Sequence, residues 1–299
     1  MNRYILILLA LCLSTLGKAQ YAYFGTRGVI AFEKITFTKA NAREMMRNWE
    51  KNNGQFGYMG GGGDFLNRIP ESQTEKYILQ FDENSTLSYL DKEDDKEKKD
   101  SNSARPSNTR NRNSGGNRQG AAAGQSLRFS TGGNAMPIGR SIRQSGSTKI
   151  LFQDLKSGTG QVQIEIDDKY ILSDTLHPIT WRFTDEYRNI AGFECRRVNG
   201  ATVDSLYLVA FYTEQIPVSA GPAFSFGLPG MILGLAIPEM HIQYWASKVD
   251  YNNEAVPKDW KDKKVKNMSL TEFTNSLGRY FNRGDNNSTR KSVLEHVLY

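Results

Sequence analysis

Apolar and polar residues alternate through long stretches of this chain, the period expected of β-strands with one buried face. Val162, Ile164 and Ile166 alternate with Gln161, Gln163 and Glu165, and Trp181 and Phe183 repeat the pattern after Thr180. From Ser205 to Tyr212 both faces are apolar, as in a strand covered on both sides. Gly28–Phe37 and Glu75–Leu90 read as further strands, the second folded into a hairpin at Asp82-Glu83-Asn84-Ser85. Asn199-Gly200, between two strand-like runs, is a strong two-residue hairpin signal and predicts that the strand through Phe193 pairs antiparallel with the one through Leu206.

Helical spacing shows in only two regions. Ala42, Met45, Met46 and Trp49 share one face of a segment from Ala40 to about Lys51, with Gly54 as a stop. Near the C-terminus Ser269 and Glu272 form a capping box ahead of Leu270, Phe273 and Leu277, and Val293 to Leu298 make a short amphipathic piece. The pattern predicts a mainly β fold: a curved antiparallel sheet or half-barrel with one N-terminal helix and one or two C-terminal helices. Strands apolar on both faces need cover on both, which curvature and the helices supply.

The organisation follows from shifts in composition. Residues 1–19 read as a secretory signal: Arg3, an apolar run from Tyr4 to Leu13, and Ala19 before the expected cut. A lipid anchor on Cys12 is the rival reading, and Leu11 before it is not the small residue such a site wants. Residues 20–90 carry the N-terminal strands and helix, 91–147 form a low-complexity insert expected to be disordered, 148–260 hold the core of the β domain, and 261–299 a helical extension. The net charge of +6 resides mostly in the insert, where 11 lysines and arginines face 6 acidic residues. The rest of the exported chain is near neutral, so the basic balance gives no ground for expecting a nucleic-acid partner.

Candidate chemistry is sparse. After export Cys195 stands alone, so no internal disulfide is expected, and a buried structural thiol is the favoured reading over a nucleophile served by His177, His241 or His296. Glu239 and His241, with Asp167 and Asp168, lack the ligand spacing of a metal centre, and the GGGG run at 60–63 has no Lys-Ser or Lys-Thr after it. No cofactor and no catalytic activity is expected.

Leu228-Pro229-Gly230-Met231 has the residues of a type II turn, with Pro at the second place and a glycine free to take positive φ at the third. The apolar run that follows, Met231 to Ile237, is far short of the ~20 residues of a membrane helix. It reads as a buried strand in which Gly234 permits a bulge. Met240, Ile242, Tyr244 and Ala246 mark one face of the next strand.

IAGFECRRV (190–198), FYTEQIPVSAGP (211–222) and FGLPGMIL (226–233), in this order, resemble the GLPGLI family of Bacteroidota envelope proteins. The chain departs from that pattern at Met231, where the family carries Leu, and at Phe211, where Trp is frequent. The resemblance implies an exported protein, periplasmic or associated with the outer membrane, and brings no catalytic residue with it. Two functions are compatible with these features. One is an accessory protein docking on a TonB-dependent receptor or other outer-membrane complex through an exposed patch at Ala223, Phe224 and Phe226. The other is a carrier with an internal cavity for a lipid or other apolar ligand. Gly221, Pro222, Gly227, Leu228, Pro229 and Gly230 are expected to be architectural.

Overall fold

The computed structural model describes residues 25–53, 66–91, 149–165, 168–278 and 297–299. The expected export signal, the low-complexity insert after its first residue, the GGGG run, Gly54, Asp167 and His296 lie outside the described residues, as do the side chains of Met45, Trp49 and Leu277.

The strands are β1 (Gly28–Thr36), β2 (Gln73–Phe81), β3 (Ser85–Leu90), β4 (Ile150–Asp154), β5 (Thr159–Glu165), β6 (Lys169–Thr175), β7 (Thr180–Ile190), β8 (Phe193–Ala201), β9 (Tyr207–Thr213), β10 (Met231–Ile237), β11 (Ile242–Tyr251) and β12 (Lys266–Ser269). Among the described residues the longer helices are α1 (Thr38–Asn53) and α2 (Leu270–Gly278), and a 3-10 turn lies at Pro238–Met240. All twelve strands join one sheet in the order β12-β6-β5-β4-β3-β2-β1-β11-β10-β9-β8-β7. The mainly β, curved-sheet expectation holds, with one addition. The segment after residue 261 begins with a strand before its helix, and β12 runs parallel to β6, so the sheet is mixed.

The sheet has to roll. β6 and β7 are consecutive in sequence, yet ten strand spacings separate them in the sheet, about 48 Å if it were flat. The link from Thr175 to Thr180 spans at most about 18 Å even when fully extended. Separately, the end of β7 folds back over the sheet: the Arg188 guanidinium lies 4.4 Å from the ring centroid of Trp245 on β11, four strands away. The sheet curves into an open roll whose two ends face each other without pairing.

The interior is filled by the main core: Ile30 and Phe32 from β1, Tyr77, Leu79 and Phe81 from β2, Leu208, Ala210 and Tyr212 from β9, and nearly all of β10. β10 is buried on both faces: the segment between β9 and β10 folds back inside the roll against one, and Trp245 and Ile190 lie against the other at Gly234. Ile232 N–H donates to the Ala220 carbonyl (2.8 Å) and Met231 N–H to the Ile216 carbonyl (3.0 Å). The predicted bulge in β10 is present, where the register with β9 shifts between Ile232 and Gly234. A smaller core joins Leu151, Val162, Ile164 and Leu172 to Phe273 of α2 and to Val297. The capping box forms: Glu272 N–H donates to Ser269 Oγ (3.1 Å) and Ser269 N–H to the Glu272 carboxylate (2.9 Å).

Two turn expectations are corrected. Asn199 and Gly200 lie inside β8, paired with Val209 and Leu208 of β9, so the strands pair as predicted but the turn falls at Thr202–Leu206. Glycine stands at 200 for a packing reason, since a Cβ there would lie 2.5 Å from the Trp181 ring. The positive-φ hairpin turn is instead Ala191-Gly192 (φ 50° and 87°), joining β7 to β8. Second, Gly230 is not among the positive-φ glycines, so the chain at Pro229-Gly230 is not a type II turn. Within this motif Gly227, at φ 90°, is the glycine with left-handed backbone. Gly230 is required by contact: a Cβ on it would sit 2.0 Å from the Thr213 carbonyl oxygen and 3.0 Å from Glu214 Cα, both main chain.

This contrast orders two substitutions. Gly230→Ala must displace backbone at the end of β9 and is expected to cost about 2 kcal/mol or more, lowering the melting temperature by about 4–8 °C. Gly227→Ala meets no atom closer than 3.4 Å and is expected to cost only the left-handed strain, about 1 kcal/mol. Thermal melts of both variants check the order, and a Gly230→Ala protein as stable as the parent would refute it.

Asp82 in the β2–β3 turn supplies a pH-dependent contact. Its carboxylate accepts the N–H groups of Asn84 and Ser85 (2.8 Å each) and, from across the sheet end, that of buried Val256 (3.0 Å). Burial alone raises its pKa, but these backbone hydrogen bonds together outweigh it and hold the group below its ordinary 3.8. With the folded pKa depressed, its contribution is present above the unfolded pKa and lost as pH falls through the folded one. Asp82→Ala is therefore expected to be less stable than the parent at pH 7, the gap narrowing towards pH 2; urea melts at both pH values measure it.

Candidate ligand cavity

The seam between the two ends of the roll holds a cavity of about 510 Å³, within the range of small-molecule sites. One wall is sheet, with Gly160 and Val162 from β5 and Leu172 from β6. The β6–β7 link contributes Leu176 and Ile179, and the β8–β9 turn contributes Thr202 and Leu206. Phe224 and Phe226 reach in from the segment between β9 and β10, while Leu270 of α2 and Leu298 complete the lining.

Each wall is held in place by a local device. Gly160 leaves the space that the Phe224 ring takes up: a Cβ at 160 would lie 3.3 Å from that ring and 2.7 Å from Leu176. The β6–β7 link is fastened by Leu176 N–H to the Gly158 carbonyl (2.8 Å). Trp181, at the start of β7, donates from Nε1 to the Phe226 carbonyl (2.9 Å), tying the aromatic segment to the edge of the sheet. Ala223 and Phe224 both adopt left-handed backbone (φ 55° and 57°), a conformation that costs a non-glycine residue about 1–2 kcal/mol and persists only where the surroundings fix it. Here Gly221 and Pro222 do so. Ser225 N–H and Oγ both bond the Pro222 carbonyl (3.1 and 2.7 Å), and a Cβ on Gly221 would lie 2.6 Å from Ile232 Cβ.

The sequence reading of this segment needs correction. Ala223, Phe224 and Phe226 are not an exposed patch: Ala223 is buried, and the two phenylalanines are half-buried and line the cavity. Folding the segment inward satisfies its apolar side chains, which spacing alone left pointing nowhere. Leu228 is buried and Pro229 exposed. The large exposed apolar residues lie elsewhere, and include Phe183 (48% exposed) and Tyr187 (58%) on β7, the terminal strand of the sheet. Alternation marked Phe183 as half of a buried face; the edge position of β7 was not legible locally.

The other candidate groups are scattered. Cys195 is fully buried in β8, and desolvation pushes its thiol up to about 12. His177 is exposed at the cavity rim. His241 closes the 3-10 turn, with Nε2 2.7 Å from Glu44 of α1, and Asp168 pairs with Lys266. Among the described residues no three His, Cys, Asp or Glu side chains converge on a metal position. No helix among them is long and apolar enough to cross a membrane.

A family model described as "Protein of unknown function (Porph_ging)" matches residues 198–234, which span the end of β8, all of β9, the inward-folded segment and the first half of β10. No curated protein matches the chain. Among solved structures, "Structure of PNGF-II in C2 space group" is similar at a TM-score of 0.45 and 12% identity, over 84% of this chain and 32% of that one. "Structure of PNGF-II in P21 space group" gives 0.43 and 11%, over 84% and 33%. The chain thus spans about a third of the length of those structures.

The Cys195 environment makes a direct prediction. With its thiol raised to about 12 and no exposed surface, the native protein is expected to resist iodoacetamide at pH 8 and to react fully once unfolded in urea. Mass spectrometry of both samples measures this, and rapid alkylation of folded protein would show that β8 opens.

Proposed function

We propose that this protein is an exported, non-catalytic binding protein of the Gram-negative cell envelope that holds a small, largely apolar ligand in the cavity at the seam of its rolled sheet. The observation that carries this reading is the cavity itself: about 510 Å³, walled by Val162, Leu172, Leu176, Ile179, Leu206 and the two inward phenylalanines. The envelope location rests on the resemblance of residues 190–233 to the GLPGLI family and on the signal-like segment 1–19. Apolar walls remove a ligand's hydrocarbon surface from water at roughly 25 cal/mol per Å², and a preformed site leaves most of that gain available for binding.

Docking on an outer-membrane receptor or transport complex is a second reading, favoured by one observation. The edge strand β7 is eleven residues long and exposes Phe183 and Tyr187, a sheet edge of the kind that pairs with an extended partner segment.

Uptake of a neutral apolar dye separates the two. Nile red is expected to bind saturably with blue-shifted, enhanced emission, and Leu176→Trp, which fills the cavity from its half-buried link, is expected to abolish this while leaving the melting temperature within a few degrees. A protein that only docks would show no saturable uptake, and uptake unaffected by Leu176→Trp would place the dye elsewhere and end the cavity reading.

A further inference from the structure

The charge of the cavity wall narrows the ligand class, and this inference rests on the cavity being a ligand site. We propose that the site selects an amphiphile with a cationic head and an apolar body, and discriminates against fatty acids and other anionic lipids of the same length. The inner lining is apolar and buried at Val162, Leu172 and Leu206, whereas the rim is polar and exposed at Asp174, His177 and Asp204. Two carboxylates and one imidazole are therefore the ionisable side chains of acidic or basic type in the lining, and none of its residues is a lysine or arginine.

An anionic head leaving water needs a counter-cation or a set of N–H donors to offset its desolvation. Four of the rim backbone donors are already taken. Leu176 N–H bonds the Gly158 carbonyl, Thr202 N–H the Leu206 carbonyl, Leu206 N–H the Thr202 hydroxyl, and Thr175 N–H the Asp174 carboxylate. An ammonium or alkylammonium head meets the opposite situation. Asp174 and Asp204 attract it at the mouth, and Phe224 and Phe226 line the cavity with aromatic rings, whose quadrupole a desolvated cation favours. Because the carboxylates are exposed, their part of the preference is screened by salt, while the apolar part is not.

Calorimetric titration of the full-length protein with decyltrimethylammonium, octyl glucoside and decanoate, each below its micelle concentration, tests the proposal. Decyltrimethylammonium is expected to bind about tenfold or more tighter than decanoate at low salt. The ratio should fall to within about threefold in 0.5 M NaCl or in the Asp174→Asn/Asp204→Asn double variant, with octyl glucoside binding unchanged. Both aspartates are exposed, so the variant is expected to fold. Decanoate binding as tightly as the cation, and lost in Leu176→Trp, would overturn the charge selection while leaving the cavity function standing. Failure of all three amphiphiles to bind would overturn both.

Discussion

A four-residue connection governs the architecture. Because residues 176–179 join strands that lie ten spacings apart in a twelve-stranded sheet, the sheet cannot be flat, and the rest of the architecture follows from the roll. The concave face must be filled, which explains why the segment before β10 turns inward instead of looping into solvent. The two ends meet without hydrogen bonding to each other, so the seam is left as a gap lined by side chains, and the cavity occupies it.

The inward segment is also the part of the chain that the family model matches. Its glycines and prolines are spent on close approach: Gly230 against the Thr213 main chain, Gly221 against Ile232, and Pro222 as the acceptor for Ser225. The motif therefore positions Phe224 and Phe226, and its chemical contribution is indirect. It fixes the shape and polarity of one cavity wall while contributing no ionisable group of its own.

Much of the local structure was legible in the sequence, since alternation needs only neighbours. β5, β9 and β10 fall where periodicity puts them, as do the break at Asp82, the bulge near Gly234 and the Ser269–Glu272 capping box, while β11 starts only at Ile242 because Pro238–Met240 forms a 3-10 turn. What local pattern could not supply was strand order. A strand at the end of a sheet and one at its centre can alternate alike, so β7 gave no sign that Phe183 and Tyr187 would be exposed. The same limit applies to glycine. Asn199-Gly200 and Pro229-Gly230 both carry turn chemistry, yet in each case the glycine answers to a distant atom, the Trp181 ring or the Thr213 carbonyl. The aromatic patch was misplaced for a related reason: a loop that folds back into its own core looks, residue by residue, like one that faces solvent.

The pairing of β1 with β11 sets a condition on how such a chain reaches its native state. Gly28 lies opposite Tyr251, so the first described strand receives one of its two neighbours from a part of the chain more than two hundred residues later. Contacts of this sequence separation delay folding, because loop closure precedes any gain from them. Until β11 arrives, β1 presents an open edge carrying Ile30 and Phe32, both destined for the core. The interval before closure, rather than the finished roll, is when the molecule is most prone to pair with its neighbours.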